Sequence, residues 1–148
     1  MHGLRCVLKV SQACCSEMRD LVDALELWTT TQPYSTFPGQ TIAWRLIPAL
    51  ESGQYRIYRD AYGRARGFIS WAFMTQEEFD TRDYSGEEIF SRKEGENLVF
   101  VDMIAPHGRN DVLLICRDMR QLFEDRPDIT RALAHRGRRN GVFPNIGG

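Results

Sequence analysis

The spacing of apolar residues changes several times along the chain, and each change marks an element. From Ser16, the residues Met18, Leu21, Val22, Leu25 and Trp28 recur at helical spacing, with Ser16 placed to cap the first turn and Glu17 favourable beside its positive end. Before this helix, residues 4–10 alternate weakly and read as an edge strand or an N-terminal arm. After it, residues 29–39 hold two prolines and a glycine among polar residues, a loop that cannot continue the helix. Tyr34 and Phe37 are its notable side chains, and either pin it to the core or reach toward a site. Residues 42–50 are apolar around Pro48, so a helix kinks there or a new turn begins with Pro at its start.

The period then shortens to two. Residues 55–59 and 67–73 alternate as strands around the turn at 60–64, a hairpin. Thr75-Gln76-Glu77-Glu78 matches a capping box and predicts a short helix ending before Asp83. Residues 87–97 are charged and read as exposed. Residues 98–104, Leu-Val-Phe-Val-Asp-Met-Ile, read as an interior strand interrupted by Asp102. Ala105-Pro106-His107-Gly108-Arg109-Asn110 opens onto a helix over 111–125 whose stripe is Val112, Ile115, Met119 and Leu122, with Cys116 and Phe123 beside it. Residues 129–134 predict a further strand, followed by an Arg-rich stretch and a terminal strand or tail over 141–148. The alternation of helices and strands implies an α/β (α+β) fold, a mixed sheet flanked by helices.

Composition narrows the picture. A chain of 148 residues with a formal net charge of -1 and an ordinary apolar share suits one domain, residues 1–148, able to bury a core without disulfides. No attraction to nucleic acid follows from that charge. Apolar runs are too short for an integral membrane segment and the N-terminus lacks a secretion signal, so a cytoplasmic location is expected. The four cysteines, at 6, 14, 15 and 116, and the three histidines, at 2, 107 and 135, have no metal-ligand spacing.

Asp102 is the residue that demands a chemical account. A carboxylate inside a buried strand is either satisfied by a hydrogen-bond network or used in a reaction. The loop that follows leads into a helix start, where free N–H groups and the positive dipole end can face an anionic or carbonyl group.

Several stretches together resemble the toxin-activating lysine acyltransferases, the protein C activators of RTX haemolysins. Ile47-Pro48-Ala49-Leu50 with Gly53-Gln54-Tyr55 is similar to that family's Leu-Pro-Ala-Ile…Gln-Tyr segment, and Arg59-Asp60, Ser70-Trp71-Ala72 and Val101-Asp102-Met103-Ile104-Ala105-Pro106-His107-Gly108 follow in the family's order. The resemblance implies a fold similar to the Gcn5-related N-acyltransferases, with a splayed central strand. It also implies transfer of a fatty acyl group from acyl carrier protein to a lysine side-chain amine. No tightly bound cofactor is implied; the acyl-phosphopantetheine of the carrier is a co-substrate, received near Gly108, Arg109, Asn110, Ser70 and Trp71. Of the family's catalytic Asp and His, the Asp matches Asp102, while the His falls at Tyr34; its usual acid after the Gly is Arg109 here. The catalytic candidates are therefore Asp102, Tyr34 and His107, the last as a displaced base with a pKa suited to neutral pH. An acidic carrier calls for a basic dock, for which Arg56, Arg59, Arg64, Arg66, Arg136, Arg138 and Arg139 are available. The acceptor reads as a protein or a precursor peptide, and a homodimer is compatible with the sequence. The alternative is a catalytically impaired relative that binds acyl carrier protein or a peptide.

Overall fold

A computed structural model describes residues 2–82, 87–134 and 141–142, with side chains over 16–82 and 88–134. Helix α1 (His2–Thr30) leads through a 3-10 turn (Tyr34–Thr36) to a second helical stretch. That stretch comprises α2 (Gly39–Thr41), a π turn (Ile42–Leu46) and α3 (Ile47–Ser52). Strands β1 (Tyr55–Arg59) and β2 (Ala65–Met74) form a hairpin, followed by α4 (Gln76–Thr81) and a 3-10 turn (Glu87–Phe90). Then come β3 (Asn97–Ile104), α5 (Arg109–Phe123), β4 (Arg131–Ala134) and β5 (Gly141–Val142). The sheet runs β1-β2-β3-β4-β5, with only β3 and β4 parallel, because α5 carries the chain across between them. A mixed sheet flanked by helices is the expected fold class, compatible with a Gcn5-related N-acyltransferase architecture.

The two sheet faces bury different partners. Ile69, Trp71, Phe73, Leu98 and Phe100 alternate onto the face covered by α5, against Ile115, Met119 and Phe123. Phe123 stands edge-on to the rings of Trp71, Phe73 and Phe100, with centroids at 5.6, 6.3 and 6.0 Å. On the opposite face, Phe68 and Ile104 meet Ala24, Leu27 and Trp28 of α1, and Ala72, Val99 and Val101 meet Ala49, Ile89 and Phe90.

Several local expectations meet the structure directly. Thr75 Oγ1 accepts from the Glu78 N–H at 3.1 Å and the Glu78 carboxylate accepts from the Thr75 N–H at 2.8 Å, a complete capping box. Asp60 Oδ1 accepts from the N–H groups of Tyr62 and Arg64 and ties the hairpin turn. Gly53 ends α3 with φ +77°, the left-handed conformation that favours glycine, and the buried Gln54 beyond it donates to the carbonyls of Trp71 and Phe90.

Three expectations need correction. Residues 4–10 are neither strand nor arm: α1 begins at His2 and runs through Ser16, which therefore caps nothing. Its buried stripe is also rotated, because Met18 and Val22 are exposed while Ala24, Leu27 and Trp28 are buried. Polar contacts set that rotation: Asp20 accepts from Arg59 and the Tyr55 hydroxyl, Asp23 accepts from Arg59, and Arg19 donates to the Gly63 carbonyl. These bonds turn the acidic side of α1 toward the hairpin and Met18 and Val22 outward. Finally, residues 87–97 are not exposed throughout, because Ile89, Phe90 and Asn97 are buried. Of the two readings at Pro48, the structure has the second: Pro48 lies at the start of α3, just after the widened π turn, where the helix accommodates a proline ring and a missing N–H donor.

Because one ring serves three neighbours in a dry interface, Phe123→Ala is expected to destabilise the protein by about 3–5 kcal/mol. Urea unfolding followed by tryptophan fluorescence measures the loss; a change within experimental error would mean that this interface collapses around the cavity.

Candidate functional site

Asp102 reaches its place through an irregularity in β3. Trp71 pairs with Phe100 and Ser70 pairs with Asp102, so Val101 is an extra residue, a β-bulge. Plain alternation from Leu98 and Phe100 would aim Asp102 beneath α5. The bulge puts Val101 and Asp102 on the same face, toward α1 and the π turn.

There Asp102, 1% exposed, is paired with Arg45 from the π turn. Arg45 Nε donates to Oδ2 at 3.2 Å, Nη2 donates to Oδ1 over a short contact, and Nη2 also donates to the Val101 carbonyl at 3.3 Å. The guanidinium thus satisfies both carboxylate oxygens and a backbone acceptor at the bulge. Tyr34 completes the group. Its hydroxyl donates to the Met103 carbonyl at 3.3 Å and lies against the Asp102 carboxyl. Its ring is held edge-on to Trp28 at 4.8 Å and beside Phe37 at 5.5 Å.

The charges follow from this packing. Burial pushes the Asp102 carboxyl up from its ordinary value, against the opposing pull of Arg45 and of the Tyr34 hydroxyl. Burial, then the Asp102 charge, pushes the Tyr34 phenol well above the usual tyrosine range, so it keeps its proton and acts as a donor.

A cavity of about 580 Å³ opens beside these groups, lined by Thr31, Pro33, Tyr34, Phe37 and Arg45 on the α1 side. It also touches Ile69, Phe100, Met103, Val112 and Ala134, residues that include the α5 face. A space can meet both faces only where the sheet parts. β4 pairs with β3 from Asn97 to Phe100 and ends at Ala134, while β3 continues to Ile104; among the described residues no strand pairs with Val101–Ile104 on that side. Among the described residues, the cavity occupies this gap.

The sequence-derived candidates divide accordingly. Asp102 and Tyr34 come together, although Asp102 itself does not line the cavity and meets its wall only through Arg45 and Tyr34. His107 is exposed on a separate polar cleft with Arg19, Asp23, Glu26, Asp60, Arg64 and Arg66. Gly108, φ +116°, sits at the N-cap of α5 with Arg109 and Asn110 exposed beside it, and no side chain caps that end. Ser70 and Trp71 do not line the cavity: Ser70 is fully buried across from Asp102, its hydroxyl without a hydrogen bond, and Trp71 is packed against Phe123. Three of the four hairpin arginines are paired, Arg56 with Asp118, Arg59 with Asp20 and Asp23, and Arg66 with Asp111, which lowers the positive charge that the hairpin offers a basic dock. Arg136, Arg138 and Arg139 lie outside the described residues.

Arg45 is the residue that sequence reasoning passed over. The available signal was a lone charge inside the apolar run 42–50, the mirror of Asp102 inside the run 98–104.

Replacing Arg45 by Met leaves the carboxyl of Asp102 buried without its counter-ion, and a loss of about 3–5 kcal/mol is expected at pH 8. Burial then outweighs the remaining pull of the Tyr34 hydroxyl and holds the folded pKa above the unfolded value of about 3.9. The native state consequently binds the extra proton, and stability falls as pH rises from the unfolded toward the folded value. Urea unfolding at pH 5 and pH 8 should show the smaller loss at pH 5; equal losses would mean that Asp102 finds another partner.

The family model for the RTX toxin acyltransferase family matches residues 16–142, and the chain belongs to that family. The lysine-acyltransferase RtxC of Vibrio cholerae serotype O1 is 35% identical over 72 residues, 46% of this chain and 47% of that protein. An uncharacterized protein of Synechocystis is 30% identical over 95 residues, 62% of this chain and 64% of its own length. The matched stretches thus span from about half to just under two thirds of these relatives. No helix among the described residues is long and apolar enough to cross a membrane.

Proposed function

We propose that this member of the RTX toxin acyltransferase family moves a fatty acyl group from the thioester of acyl carrier protein to a lysine or similar side-chain amine of a protein or ribosomally made peptide. The observation that carries the reading is the cavity in the sheet gap, apolar on its α5 side and bordered by Tyr34 and Arg45 on the other. An acyl chain suits the first wall and a reacting carbonyl the second.

Aminolysis of a thioester requires a neutral amine, support for the carbonyl oxygen and a proton for the departing thiolate. Tyr34, kept protonated by its burial, is placed to supply that proton. Asp102 orients Tyr34 and Arg45 from behind. This assignment shifts Asp102 away from direct contact with the amine, since both of its oxygens are engaged by Arg45. The exposed N–H groups at Gly108, Arg109 and Asn110 are the reading's site for the carrier's phosphopantetheine, at the positive end of α5. An alternative, a relative that binds acyl carrier protein or a peptide without transfer, is favoured by the same engagement of Asp102 and by a Tyr where the resembled family has its His.

Co-expression with the protein substrate encoded beside this gene, followed by intact-mass analysis, tests the reading. A mass gain of one fatty acyl group is expected, lost with Asp102→Ala and lowered about 10²–10⁴-fold in rate with Tyr34→Phe. No gain, with capture of acylated carrier retained, establishes the binding alternative.

The pH dependence is also specified. Tyr34 stays protonated at neutral pH and His107 lies outside the cavity, so no enzyme base is assigned a neutral titration. The rate of a lysine acceptor should therefore climb between about pH 6.5 and 9, following an amine whose free pKa is about 10.4. Loss of transfer in His107→Ala would instead assign the base to His107.

A further inference from the structure

We propose that Arg45 holds the carbonyl oxygen of the reacting thioester with an N–H bond of Nη1, and that Asp102 is the positioning residue that aims it. This inference rests on the acyl-transfer reading and adds to it the group that polarises the electrophile.

A guanidinium has five N–H donors in one rigid plane. Three are engaged here. Nε–H and one Nη2–H face the two oxygens of Asp102, and the second Nη2–H meets the Val101 carbonyl. Nη1 makes no hydrogen bond among the described residues. Because the plane is rigid, fixing the Nε and Nη2 edge fixes the direction of Nη1, on the side of the perimeter away from Asp102. Arg45 lines the cavity with Tyr34 and Phe37, and its guanidinium carbon stands 6.0 Å from the Phe37 ring centroid. Two charged donors are thus presented by a side chain that is 17% exposed, beside an open space that a ligand oxygen can enter.

Local backbone structure makes the arrangement hard to produce by chance. Both charged residues sit at irregularities: Arg45 in the π turn and Asp102 at the bulge. Each irregularity turns its side chain toward the other, and π turns recur at functional sites. A purely structural cap for the Val101 carbonyl would need one donor and no carboxylate.

The chemistry balances without a further reagent. The neutral amine attacks the thioester carbon, forming the C–N bond and moving the C=O electron pair onto oxygen. Nη1 donates to that oxygen as its charge develops. When the pair returns, the C–S bond breaks, and the proton on nitrogen passes through Tyr34 to the thiolate. Because Arg45 and Asp102 together carry no net charge, the site can accept the transient oxyanion without a buried surplus charge in the resting enzyme.

The test uses the full chain with S-myristoyl pantetheine carrying ¹³C at the carbonyl, read by isotope-difference infrared spectroscopy. The variant R45M/D102L removes the pair as a unit, so no buried charge is stranded. R45K is the second variant, retaining the charge but not the fork. Expected is a bound carbonyl band at lower wavenumber in the native protein than in R45M/D102L. Thioester binding should stay within a few-fold, with transfer lowered about 10²–10³-fold in that variant. R45K should lose most of the shift. Equal carbonyl bands in the native protein and both variants, all of them binding the thioester, would overturn the role of Arg45 while leaving the transfer reading intact. Absence of any saturable band in the native protein would overturn both.

Discussion

A buried carboxylate governs this structure. Asp102 lies inside the central strand, where an unpaired charge costs several kcal/mol, and the fold responds at three separated points of the chain. β3 takes an extra residue at Val101, so that the acid faces α1 instead of α5. The helical stretch widens over Ile42–Leu46, bringing Arg45 to it. The loop after α1 closes into a 3-10 turn and sets the Tyr34 hydroxyl against both the carboxyl and the Met103 carbonyl. None of these irregularities is needed to build a mixed sheet with helices on it. All three converge where β3 runs past the end of β4.

The sheet gap and the pair are mutually dependent. A strand that outruns its neighbour leaves carbonyls without a ladder partner, and buried carbonyls require donors. The Val101 and Met103 carbonyls receive theirs from Arg45 and Tyr34, side chains in place of a strand. The gap can therefore remain open as a cavity. Its two walls differ because the sheet faces differ: α5 covers one with aliphatic and aromatic side chains, while the 3-10 turn after α1 and the π turn bring donors to the other.

Much of this fold was legible in the sequence because its causes are local. The capping box at Thr75 and Glu78, the turn at Asp60, the alternation of the hairpin and the stripe of α5 depend on neighbours within a few residues. Asp102 was legible as an anomaly, since an acid in an apolar run violates its surroundings. Its partner was not, because Arg45 lies 57 residues away, and sequence spacing carries no information about such a contact. The same limit applies to α1. Periodicity placed a helix there but not its rotation, which depends on ion pairs from Asp20 and Asp23 to Arg59 across the hairpin. The bulge was invisible for another reason: the run 98–104 reads as an unbroken strand, and only pairing with Ser70 and Trp71 reveals the extra residue.

Replacing a His by a Tyr in a site of this kind changes what the protein must provide. A His can take a proton at neutral pH and hold it; a buried phenol next to a carboxylate keeps its own proton and can accept one only as it gives one up. A site arranged around Tyr34 and Arg45 is therefore a set of donors, suited to an electrophile that gains negative charge and a leaving group that gains a proton. The amine must then arrive already neutral, or lose its proton to water at the cavity mouth. Asp102 does not line the cavity, so in the acyl-transfer reading it works through Arg45 and Tyr34 and not on the amine. What the carboxylate contributes is direction, fixing a rigid fork and a phenol toward the same space. On this account the acid in the central strand is kept for geometry, and the chemistry passes to the residues that it holds.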